Sequence, residues 1–340
     1  MRTNGSRRIF TSFLLCVALL GGRSSYADAV SELASFSAFP RADLVQLSKA
    51  PAKPVRSESS GNARHLSVQT AYVVPRPAAE VASQMSSWNP ARHSDLRVYL
   101  YSSSATDFSR LASAPDNAAV RYLATATAQR SPDLQLSAAE VNMLPAGGGG
   151  AEAGMSPALA AAWGKILGAR ASAFASGGSA SQPPYENASP AVRPNEELSG
   201  LLRGYDKIRQ QFSGLLSATG IGRGAGSIKP NMYWELVDAD GKGVVALGAQ
   251  YSRPGANGAI QTASANYYAS GGYFARITLH QLWPVQVEGR DSTLVWRGDF
   301  VSSAGVAGTR GIERMGAESV MIKDVGRAVA AFRADVGGGR

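Results

Sequence analysis

Outside the first 27 residues the chain holds three histidines, His65, His93 and His280, and each is a candidate for proton transfer or metal ligation. His65 closes a Pro/Ser-rich stretch, and His93 follows a Pro turn and precedes Asp95. His280 sits in a strand pattern, on a face expected to be shared with Phe274, Arg276, Thr278 and Leu282. A histidine–carboxylate–serine hydrolase needs its serine on a sharp turn, and no G-x-S-x-G occurs. No H-E-x-x-H or comparable metal spacing occurs either. The one cysteine, Cys16, lies in the apolar N-terminal run, so the chain beyond it has no thiol nucleophile, thiolate metal site or disulfide. No catalytic residue, metal ligand or cofactor is assigned, and a role other than catalysis is expected.

Two glycine-containing segments invite a sharper reading. Gly220-Ile-Gly-Arg-Gly-Ala-Gly-Ser227 is rich enough in glycine to turn backbone N–H groups toward an anion. It lacks the Gly-Lys-Ser/Thr ending of a P-loop and has no strand before it, so it reads as a flexible helix-to-strand connection. Asp238-Ala-Asp240-Gly241 opens like a calcium loop, but the later ligands and the closing glutamate are missing, and a hairpin turn accounts for it.

Binding chemistry is carried by the last third of the chain. Arg276, Arg297 and Asp299 fall on strand patterns. Facing a cavity they would orient a polar headgroup; facing outward they would solvate a sheet. Tyr267, Tyr268, Tyr273, Phe274, Trp283 and Trp296 make the same region rich in aromatic rings, which either pack a core or line a cavity for an apolar ligand. The candidate ligand-binding set is Tyr268, Tyr273, Arg276, His280, Trp296 and Arg297.

These residues need elements to hold them. Residues 66–74 are a strand candidate, ended by Pro75-Arg76-Pro77. A helix follows, with Val81, Met85 and Trp88 on one face, and Leu96–Tyr101 is a second strand. Helical patterns cover Asn117–Gln129, a capping box at Ser137 and Glu140, and Pro157–Ala175, with a break at Gly147–Gly150. Residues 177–194 read as a long polar loop, disordered in character. A stripe from Leu198 to Leu216 predicts one helix, capped by Asn195 and ended by Gly220. Ile228–Val301 reads as an antiparallel meander with turns at Asp240-Gly241, Gly271-Gly272 and 288–292. A last helix carries Ile322, Val325, Val329, Phe332 and Val336 on one stripe.

The N-terminus has the marks of an export signal: Arg2, Arg7 and Arg8, the apolar run Ile9–Leu20, and a small-residue site ending at Ala27. The run is short of the roughly 20 residues of a membrane span. Residues 1–27 are therefore expected to be removed, leaving no transmembrane segment. Ser6-Arg7-Arg8-Ile9-Phe10 resembles the bacterial twin-arginine signal, and an ordinary secretory signal stays open beside it. Either route places the chain in the periplasm or outside the cell. Of 34 basic residues four lie in this segment, which leaves a balance of +5 against the 25 acidic ones. Those charges are scattered without Lys/Arg runs, so a nucleic-acid partner is not expected. Residues 28–65 read as a poorly ordered linker, with an apolar start at Val30–Phe39. Residues 66–336 read as one α+β domain with a helical insertion at 105–216.

The order strand, proline, short helix, helical segment, meander and long helix resembles the START-like helix-grip fold. Val73-Val74-Pro75 with Val81, Met85 and Trp88 carries one part of the likeness, and the block from Tyr273 to Val336 the other; together they span about a third of the chain. The resemblance implies a curved sheet gripping the C-terminal helix over a cavity for an apolar or amphipathic small molecule such as a lipid. The alternative expectation is a structural or protein-interaction component of the bacterial cell envelope, suggested by the long Ala/Gly/Pro-rich segments.

Overall fold

The computed structural model describes residues 24–145, 154–188 and 190–337. The basic and apolar parts of the expected export signal, with Cys16 and the arginine pair, lie outside the described residues, as does the Gly147–Gly150 break. The elements run in the order α1 (Ser24–Phe36), α2 (Leu44–Lys49), β1 (Val55–Arg56), β2 (His65–Val74), α3 (Ala78–Ser87), β3 (Val98–Ser102), α4 (Ala118–Ala128), α5 (Ala138–Val141), α6 (Pro157–Gly177), α7 (Pro194–Gly200), α8 (Asp206–Gln211) and α9 (Ser213–Thr219). Then come β4 (Asn231–Ala239), β5 (Lys242–Pro254), β6 (Ile260–Ala269), β7 (Ala275–Val287), β8 (Arg290–Ser302) and α10 (Gly311–Gly337). The fold is α+β. Among the described residues no helix is long and apolar enough to cross a membrane.

All strands join one antiparallel sheet in the order β1-β2-β8-β7-β6-β5-β4-β3. Local chemistry drives the meander. Asp240-Gly241 and Glu288-Gly289 each hold two successive positive φ angles, 56° and 80° in the first and 50° and 76° in the second, the backbone that closes a two-residue hairpin. The return of β8 to pair with β2 then ties the end of the meander to the start of the domain.

Side chains alternate across a strand, so the sheet has two chemically different faces. On β7, Ala275, Ile277, Leu279 and Trp283 point into the main core, where α1, α4 and α6–α9 cover the sheet. The other face of β7 carries Arg276, Thr278, His280 and Leu282. There α10 and α3 pack Val325, Val329, Phe332, Val336 and Val81 on Val68, Tyr72, Val74, Leu282 and Val295. The expected helical insertion is thus one layer, the C-terminal helix the other, and the sheet divides them.

Several segments differ from the sequence expectation. Residues 28–65 are not a linker: Leu33, Phe36 and Leu44 are buried in the main core, and Val55-Arg56 adds an edge strand to β2. Apolar residues at helical spacing outweigh the local Pro/Ser/Gly content because they have a sheet face to cover. Residues 177–188 and 190–194 are likewise structured, since Tyr185 pairs with Val192 through backbone bonds and buries its ring beside Tyr268 and Phe274. The single helix expected over 195–219 is three helices. The chain breaks at Gly204, whose φ is +94°, and again at Phe212. Pro194 rather than Asn195 starts the first of them; Asn195 Oδ1 instead accepts a bond from Ser179 Oγ at 2.9 Å. Gly220 ends the third in the left-handed conformation, as expected.

Candidate functional site

The face of the sheet toward α10 carries a polar ladder that runs across five strands. Polar residues two apart on β6 (Thr262, Ser264, Asn266), β7 (Arg276, Thr278, His280) and β8 (Arg297, Asp299) fall in register with one another. The pairs are Thr262 with His280, Ser264 with Thr278, Asn266 with Arg276, His280 with Arg297 and Thr278 with Asp299. Tyr233 and Glu235 reach the same ladder from β4.

Two ion pairs anchor it. Arg276 Nη2 donates to Glu235 Oε1 at 2.7 Å and its Nε to Asn266 Oδ1 at 2.8 Å; Asn266 Nδ2 donates to the same Glu235 oxygen at 3.3 Å. Arg297 grips Asp299 with two parallel bonds of 2.7 and 2.8 Å, and Thr278 Oγ1 adds a third to that carboxylate at 2.9 Å. Tyr233 Oη and Ser264 Oγ lie 2.9 Å apart, and Thr262 Oγ1 lies 3.1 Å from His280 Nδ1. The side chains of Glu235 and Asp299 are 6 % and 5 % exposed, whereas Arg276 keeps 34 % and Arg297 18 %. The carboxylates are buried and the guanidiniums keep part of their exposure.

Protonation states follow from these neighbours. Burial, and then the Arg297 charge, depress His280 to about 3, so it is neutral at pH 7. Burial acts to raise Asp299, but the charge and hydrogen bonds of Arg297 outweigh it and hold the carboxyl below its ordinary value. Burial acts to lower Arg276, and Glu235 with Tyr273 and Tyr233 outweighs it. The ladder therefore sets a neutral imidazole beside two ion pairs and offers many hydrogen-bonding groups. Beside Arg297 across the β2–β8 register stands Thr70, whose buried hydroxyl has no hydrogen-bond partner among the described residues.

The six residues picked from the sequence divide between the two faces. Arg276, His280 and Arg297 come together in the ladder. Tyr273 stands at its margin, with the Arg276 guanidinium 5.7 Å from its ring centre and its own buried hydroxyl without a hydrogen-bond partner among the described residues. Trp296 and Tyr268 lie on the opposite face. Trp296 is fully buried between Phe36 and Phe212 and donates to Gln69 Oε1 at 3.1 Å. Tyr268 is fully buried beneath Arg170, 4.2 Å from the guanidinium carbon to the ring centre. Phe274, expected beside His280, precedes β7 and turns into the main core. A bulge between Leu247 and Gly248, where β5 pairs with β6, explains Tyr268: it puts Tyr267 and Tyr268 on the same side. Glu235, Asn266, Ser264 and Tyr233 lie outside the set that the sequence points to, although the alternation Thr262-x-Ser264-x-Asn266 is a visible sign of a polar strand face.

No protein-family model, no curated protein and no solved structure matches the chain. The site must therefore be read from its own geometry. Among the described residues no group of three or more His, Cys, Asp or Glu side chains is placed to hold a metal ion.

Proposed function

We propose that this chain is an exported, START-like binding protein for an amphipathic small molecule. The polar end of the ligand lies on the Arg276–Glu235–Asn266 and Arg297–Asp299–Thr278 groups, on the face of the sheet that α10 and α3 partly cover. The carrying observation is that Arg276 keeps a third of its side-chain exposure although it stands on β7, in the interior of the sheet, and is already bonded to Glu235 and Asn266. A guanidinium so placed has N–H donors directed to the open side and a fixed orientation, which suits recognition of a carboxylate, phosphate or carbonyl group. The strand order, with α3 following β2 and α10 following β8, supports the helix-grip resemblance. A cluster of buried and half-buried charges does little for stability compared with apolar packing, and such clusters concentrate at sites of recognition.

The test is the mass of the chain purified gently from its own host, recorded under native and denaturing conditions. A discrete extra mass, lost on denaturation and absent from Arg276→Gln, supports the proposal. A bare mass at the monomer value overturns it, and an integer multiple or a co-purified protein favours the alternative of an envelope interaction component.

A further inference from the structure

On the opposite side of the sheet the three short helices and the glycine run build a second recess. A groove of about 550 Å³ opens between α7, α8, α9 and the loop 220–223. That volume falls in the range of small-molecule sites. Its floor is apolar: Leu198, Leu202, Leu216, Ile221 and, at the bottom, Ile277 of β7. Its rim is basic, with Arg203, Arg209 and Arg223 against the single carboxylate of Asp206.

The glycine run is a fitted wall and not a slack connection. A Cβ on Gly220 or Gly226 would overlap the backbone of Gly224 or Ala218, and one on Gly222 would stand 2.7 Å from Ser199 Cα. Gly178 packs on Gly224 with equally little room. The backbone of Arg223 is held from two sides: its N–H donates to Gly220 O at 2.8 Å, and its carbonyl accepts from Ala180 N–H at 2.9 Å and Ser179 Oγ at 3.0 Å. The loop thus fixes Ile221 and Arg223 on the groove. Asp206 pairs with Arg209 at 3.2 Å. Arg203 and Arg223 have no side-chain hydrogen bond or ion pair among the described residues.

From this arrangement we infer that the groove is a binding site for a single-chain anionic amphiphile, whose tail covers Leu198, Leu202, Leu216 and Ile277 and whose head meets Arg203 and Arg223. An apolar floor with an uncompensated pair of guanidiniums favours a molecule that combines a hydrocarbon chain with one terminal anion. The site is separate from the polar ladder, because β7 shows Ile277 to the groove and Arg276 and Thr278 to the other face.

The probe is dodecyl phosphate, kept below its micelle concentration and titrated calorimetrically into the chain; dodecanol is the uncharged match. In Arg276→Gln, where the ladder lacks its partly exposed guanidinium, the expected result is one molecule bound per chain, with dodecanol at least about tenfold weaker. The double variant Arg203→Gln/Arg223→Gln is expected to weaken dodecyl phosphate by a similar factor with an unchanged urea midpoint, since neither side chain is hydrogen-bonded or ion-paired among the described residues. Ser217→Trp, which fills the groove from an exposed position, is expected to abolish that binding. Equal affinity for the two probes overturns the inference, as does full affinity in the double variant. Binding only to vesicles of anionic lipid, and not to the monomeric probe, overturns it in favour of a membrane surface. Loss in Arg276→Gln with retention in the double variant overturns it while leaving the ladder as the ligand site.

Discussion

Arg276 and Glu235 meet at 2.7 Å although three strand spacings separate β7 from β4. At about 4.8 Å per spacing the pair bridges about 14 Å of a flat sheet. Both side chains must lie along the face, and they do so over Ala246 and Gly248 of β5, which offer no bulk, with Asn266 of β6 bonded to both. The ladder therefore depends on small residues between its members as much as on the members.

Removing either partner exposes an asymmetry. Glu235 is buried and Arg276 is one-third exposed, so a stranded carboxylate is worse than a stranded guanidinium that water can reach. Arg276→Gln is expected to cost about 3 kcal/mol and Glu235→Gln about 1 kcal/mol. Urea unfolding of the two variants measures this, and the reverse order would show that the open side of Arg276 is not hydrated.

Gly248 lies under the Tyr233 ring, and any Cβ there would overlap it. Gly248→Ala is expected to displace the ring, break its bond to Ser264 and cost about 1–3 kcal/mol. Combined with Tyr233→Ala, which vacates the space, the added cost of Gly248→Ala should largely vanish. An additive double variant would mean that the overlap is relieved elsewhere.

Acid sensitivity should trace in part to His280. Its folded value of about 3 lies below the ordinary value of about 6.5 expected in the unfolded chain. Between those values the unfolded chain binds the extra proton, so the contribution is complete above about pH 6.5 and declines as the pH falls toward 3. His280→Gln removes that titration. The wild-type urea midpoint should therefore fall further between pH 7 and pH 4.5 than that of the variant. His65, also depressed mainly by burial, keeps a residual slope of the same sign in the variant. Equal slopes in the two proteins would place the imidazole in contact with water.

Under the helical layer, Arg170 is fully buried, donates to Glu140 Oε2 at 2.6 Å and to Pro183 O at 3.1 Å, and lies over the Tyr268 ring. Glu140 also closes the capping box with Ser137. Glu140→Ala leaves a cation without water or a counter-charge and is expected to cost about 3–5 kcal/mol. Arg170→Met with Glu140→Leu should cost less than Glu140→Ala alone, measured by thermal or urea unfolding. A cost of under about 1 kcal/mol for Glu140→Ala would show that the guanidinium escapes to solvent.

Local periodicity made the scaffold legible. The alternation in Ile228–Val301, the Asp240-Gly241 turn, the Ser137/Glu140 capping box and the Val325/Val329/Phe332 stripe all describe bonds or packing between residues close in sequence. The same alternation placed Arg276 and His280 on one face of β7. What it did not convey is which face met which layer, because that depends on partners more than a hundred residues away. Leu33 and Phe36 became core only because a sheet face lay free for α1. Trp296 became core because odd and even positions of β8 look into different layers, and Tyr268 because a bulge displaced it. The meeting of Arg276 with Glu235, like the groove between Ile277 and Arg223, is a product of strand order and chain crossing. Sequence by itself determined the elements, since propensity and periodicity act over a few residues. Only the tertiary structure decided which charges pair and which recesses exist, since desolvation and Coulomb attraction act between residues brought together by the fold.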